Sequence, residues 1–152
     1  MIKTITFKEA LVDSLRFYGE DTGRRSRHQN ECLYLHNDGR RCAVGRFIRP
    51  EKEEFFRTMD NIHNSNIEAA VHAHQHRSSL EGRKISEDDA IKELTVLSDA
   101  TIGDLLFLEV LHDEDPNWDI NGLTSFGQET IAHFRPDIAK EVLEEAYGVT
   151  AE

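Results

Sequence analysis

Apolar positions recur along most of this chain at helical rather than strand spacing. Phe7, Leu11, Leu15 and Tyr18 make one stripe, the repetition that places side chains on a single helix face. Thr6-Phe7-Lys8-Glu9 is a capping box with Ile5 as its staple residue, so a helix is predicted over about 7–18. Residues 19–30 are polar and read as a loop. The pattern then changes. Cys-Leu-Tyr-Leu-His at 32–36 reads as a strand, Asn37-Asp38-Gly39 as a turn tolerant of left-handed backbone, and 41–48 as the returning arm.

Helical spacing resumes after that hairpin. Pro50 suits a first turn, and Glu51, Glu53 and Glu54 fall at its positive end, followed by Phe55, Phe56, Met59 and Ile62. Ser65-Asn66-Ile67-Glu68 is a second capping box, opening a helix with Ile67, Ala70, Val71 and His74 on one face. Ser86-Glu87-Asp88-Asp89 starts another, with Ile91, Leu94 and Leu97 inward, and Thr101 caps the next. Residues 102–111 are apolar nearly all round, the mark of a buried central helix. Ser125-Phe126-Gly127-Gln128 is expected to cap a short helix to about Phe134. Pro136 is expected to begin a last one, carrying Ile138, Val142, Leu143 and Tyr147 and stopping at Gly148. The sum is a mainly α domain, or α+β with a minimal sheet: six or seven helices around one β-hairpin at about residues 32–48. A length of 152 residues suits a single globular domain spanning 1–152.

Charge adds an asymmetry. The net charge is −11, yet residues 1–50 hold ten Lys/Arg against six Asp/Glu, and residues 51–152 hold eight against 23. The basic part contains Arg24, Arg25, Arg27, Arg40, Arg41 and Arg46, a candidate anion-binding set. The acidic part offers Glu51, Glu53, Glu54, Asp88 and Asp89 to a cationic partner. Overall acidity argues against direct nucleic-acid binding. No apolar run approaches the roughly 20 residues of a membrane helix, and the first residues lack a signal-peptide core, so a cytoplasmic protein is expected.

Candidate chemistry is sparse. Cys32 and Cys42 lie on opposite arms of the expected hairpin. They are expected to be reduced, buried and free of zinc, because Cys32-x3-His36-x5-Cys42 lacks a paired zinc knuckle. Were the chain an enzyme, Cys42 beside Arg40 and Arg41 would be the nucleophile, with His112 and Asp113 as base and orienting group. His72 and His76 with Glu68 have metal-ligand spacing but fall outside the apolar face, so they read as solvated surface, while His74 falls near that face. Asp99, Asp104 and His63 could join His112-Asp113 in a metal site, but no spacing enforces it. Phosphate-binding loops and nucleophile elbows are absent, and no metal or cofactor is expected.

Cys32-Leu33-Tyr34, Gly39, Cys42-Ala43-Val44-Gly45, the Leu-rich helix ending at His112-Asp113, and Trp118 together resemble a family of small, functionally uncharacterised proteins of bacteriophages, prophages and bacteria. Arg46 and the His-rich middle segment depart from that pattern. The resemblance implies a phage-type accessory protein in the bacterial host cytoplasm, and a shared constellation of Cys32, Tyr34, Gly45, Asp113 and Trp118. With the acidic segment, it gives the expected function: binding, and inhibiting or redirecting, a host or defence protein through charged surfaces. The alternatives are a binder of a small anionic ligand such as a nucleotide, and a Cys- or metal-dependent hydrolase.

Overall fold

The computed structural model describes residues 3–20, 27–28, 31–32, 44–60, 67–113 and 115–148. Its seven helices are α1 (Phe7–Glu20), α2 (Glu53–Asp60), α3 (Ile67–Leu80), α4 (Glu87–Leu94), α5 (Ile102–Asp113), α6 (Ser125–Phe134) and α7 (Ala139–Tyr147). The strands are two residues each: β1 (Arg27–His28) pairs antiparallel with β2 (Glu31–Cys32), and β3 (Trp118–Asp119) with β4 (Gly122–Leu123). The fold is mainly α, as the periodicity predicts. The expected Asn37-Asp38-Gly39 turn lies outside the described residues. Of the expected return arm, residues 45–47 form a 3-10 turn, and Ile48 pairs with Thr95.

Local signals set the helix starts. Glu9 N donates to Thr6 Oγ1 (3.1 Å) while Thr6 N donates to Glu9 Oε1 (3.2 Å), completing the first capping box. Asp104 N bonds Thr101 Oγ1 at 3.2 Å and Thr101 N bonds Asp104 Oδ2 at 3.1 Å. Three starts differ from expectation. Pro50 opens a 3-10 turn and α2 follows at Glu53. Thr124, not Ser125, caps α6, accepting from Gly127 N at 3.1 Å. Residues 136–138 form a turn, and α7 begins at Ala139. Gly148 ends α7 in the left-handed region at φ +65°.

Packing follows the apolar stripes. Leu11, Leu15 and Tyr18 of α1 are fully buried, as are Leu105 and Leu108 of α5. α1 lies against α7, joined by Lys8 to Glu141, Arg16 to the Glu145 carbonyl, and Tyr147 Oη donating to Leu15 O at 3.3 Å. The end of α4 and the residues after it, 95–98, serve two neighbours. Ile5 N donates to Val96 O and Ser98 N to Ile5 O, while Val96 N donates to Phe47 O and Arg49 N to Leu94 O. Gly127 lets α6 press onto the chain before it, since a Cβ there would stand 2.4 Å from Leu123 Cδ1 and 2.7 Å from Asn117 O. No helix among the described residues is long and apolar enough to cross a membrane.

Burial pushes the Tyr147 phenol up to about 12. The unfolded chain ionises it near 10, so the folded state holds this proton more tightly at high pH. Stability should therefore be intact below about pH 10 and fall as pH rises toward 12. Urea melts at about pH 9 and about pH 11 should show this loss, and Tyr147→Phe should show less of it.

Candidate functional site

The stripe that buries α3 runs Ile67, Ala70, Val71, His74 and Ser78. It turns polar in its second half, so the lower part of the helix needs partners the core cannot supply. α4 supplies one: His74 Nε2 lies 3.0 Å from Glu93 Oε1. Glu93 Oε2 accepts from Arg83 at 2.5 Å. The Arg83 hydrogen bond, assisted by His74, holds the Glu93 carboxyl below its ordinary range. An ionised carboxylate only accepts, so Nε2 of His74 donates to Glu93.

α2 supplies the facing wall. Phe55 stands edge-on to His74, with centroids 6.1 Å apart and planes at 74°, and the Arg77 guanidinium sits 5.9 Å from the Phe55 centroid. Between the helices is a cleft of about 470 Å³, lined by Phe55, His74 and Ser78 with Glu51, Glu54 and Glu81. Lys52, Arg77 and Arg83 also reach it. Among the described residues the three glutamates have no cation within ion-pair distance.

The acidic candidates divide between two helices that meet at His74. Glu51, Glu53 and Glu54 stand at the start of α2 and its preceding turn, and Asp88 and Asp89 in the first turn of α4. All but the half-buried Glu53 are exposed. At the end of α3, Leu80 is 74% exposed.

Of the basic candidates, only Arg46 has a described side chain. Arg24, Arg25, Arg40 and Arg41 lie outside the described residues, and Arg27 pairs with Cys32 in the β1–β2 ladder. Arg46 donates to Asp13 Oδ2 at 2.5 Å and stacks 3.8 Å from the Phe17 centroid. It borders a second cleft of about 540 Å³ that also holds Glu9, Asp13 and Glu145, so its charge is already balanced by carboxylates.

Of the hydrolase set, only His112 has a described side chain. Cys42 is outside the described residues, as is His63. His112 is 1% exposed, with its ring edge-on to Tyr18 at 5.0 Å. Asp99 accepts from Phe7 N at 2.7 Å, and Asp104 pairs with Arg135 at 2.7 Å. His72 is exposed and bonds Glu87 at 3.1 Å. No group of three His, Cys, Asp or Glu among the described residues could hold a metal ion.

Sequence reasoning missed Phe55, Ser78, Glu93 and Arg83 as parts of one site. The available signal was the pair His74 and Ser78, four residues apart on an otherwise apolar face. No protein-family model matches the chain, and no curated protein or solved structure is significantly similar to it.

Proposed function

We propose that this chain is a phage- or prophage-type accessory protein that acts by binding. Its acidic helices engage a cationic surface on a host or defence protein and inhibit or redirect it. The observation that supports this reading is the set of exposed carboxylates Glu51, Glu54, Asp88 and Asp89, none in an ion pair among the described residues. Charge left unneutralised at a surface steers a partner of opposite sign. Exposed pairs contribute only ~0–1 kcal/mol each, so affinity also needs an apolar anchor. Leu80, largely exposed at the end of α3, offers one.

The test is affinity capture from a bacterial lysate, then association kinetics with the captured protein. Association should slow steadily as the screening length falls from about 10 Å at 0.1 M salt to about 3 Å at 1 M. Cys42→Ala and Asp113→Asn should leave binding and its biological effect unchanged. Loss of that effect in either variant, with the fold intact, would overturn this reading in favour of the hydrolase.

A further inference from the structure

We infer that the cleft between α2 and α3 receives a guanidinium group, the side chain of an arginine on the cationic partner; this rests on the binding reading above and gives it a location. Two floor groups point to a ligand. His74 is 7% exposed and Ser78 3%, and both line the cleft. Nε2 of His74 is committed to Glu93, but its Nδ1 and Ser78 Oγ make no hydrogen bond among the described residues. Unlike Ser14 Oγ, they are not sealed from solvent. Spaced by four residues on α3, they share one face.

The chemistry of the unspent groups is one-sided. Ser78 Oγ can accept, and Glu51, Glu54 and Glu81 are acceptors only. A guanidinium brings five donors in a planar fork and no acceptor, which is the complement of that set. Phe55 adds a ring face, already visited by Arg77 at 5.9 Å, within the range of a cation–π contact. Arg77 is thus a resident occupant of the surface the guest would use. An anion would instead meet three carboxylates, with only Lys52 and Arg77 unspent in its favour.

Amide NMR of the full chain tests this, using an acetylated, amidated glycine pentapeptide with one central arginine. Saturable shifts are expected at His74, Ser78 and along α2. The citrulline version, similar in shape but uncharged, should bind about fivefold more weakly, and Glu54→Gln with Glu81→Gln should weaken the arginine peptide by about as much. Arg77→Ala should tighten it about threefold by removing the occupant and a like charge. The proposal is overturned if Arg77→Ala weakens binding and inorganic phosphate shifts the same amides, which would make the cleft an anion site. It is also overturned if no saturable shift occurs there. Shifts confined to Asp88 and Asp89 would sink the cleft but leave the acidic-face reading standing. If the peptide titrates the cleft while the captured partner ignores reversal of the acidic charges, the pocket stands and the partner reading falls.

Discussion

Changing Glu51, Glu54, Asp88 and Asp89 to lysine together will slow association with the captured partner by about 10- to 10³-fold at low salt. Each reversal adds two positive charges, so four of them take the net charge from −11 to −3. The side chains project into water, where their interaction acts at long range on the approaching partner. Dissociation should change far less, because rim charges govern encounter more than the docked state. The fold should persist, since these carboxylates make no ion pair that the change would break. Stopped-flow kinetics and far-UV circular dichroism check both parts. A rate within about threefold of the parent would mean that steering by this face does not operate.

Trp118→Ala should cost about 3–5 kcal/mol of stability, a large share of the roughly 5–15 kcal/mol that holds a domain together. Trp118 is buried at the end of α5, and its ring meets Tyr18 with centroids 6.2 Å apart. Its Nε1–H donates to Leu111 O at 2.7 Å, satisfying a carbonyl of the last helical turn. Asn117 Nδ2 donates to the same oxygen at 3.1 Å. The carbonyl therefore keeps a partner, and the expected loss is mainly of packing. Trp118→Phe retains a ring and should lose only about 1–2 kcal/mol. Urea unfolding followed by circular dichroism ranks the three proteins; equal midpoints would remove Trp118 from the core.

What the sequence revealed was local. Thr6–Glu9 and Thr101–Asp104 announce their helices because both partners of each cap lie within four residues, and Gly148 ends α7 through its own backbone freedom. The nearly all-apolar 102–111 segment foretold a core helix for the same reason, and the position of His74 near the stripe of α3 anticipated its burial. What remained hidden depended on partners from elsewhere. Asp99 caps α1 across 92 residues, and no periodicity encodes that. His112 reads as a candidate base, yet Tyr18 packs against it from a helix nearly a hundred positions earlier. The cleft was illegible because Glu93 and Arg83 are ordinary surface charges until α4 turns Glu93 toward α3 and Arg83, from the connection between them, meets it. Arg46, counted among free arginines, is neutralised by Asp13 from α1.

The pairing of α1 with α7 also bears on how the chain matures on the ribosome. α1 is covered in part by α7, and at about 5–20 residues per second their emergence is separated by on the order of ten seconds. Contacts this distant in sequence form late, because the intervening loop must close first. During that interval the surface that α7 will cover on α1, next to Leu15, is open to solvent or to a chaperone that holds nascent apolar helices. Covering of α1 thereby waits for the synthesis of α7, and a chain stalled before residue 139 would expose that surface without relief.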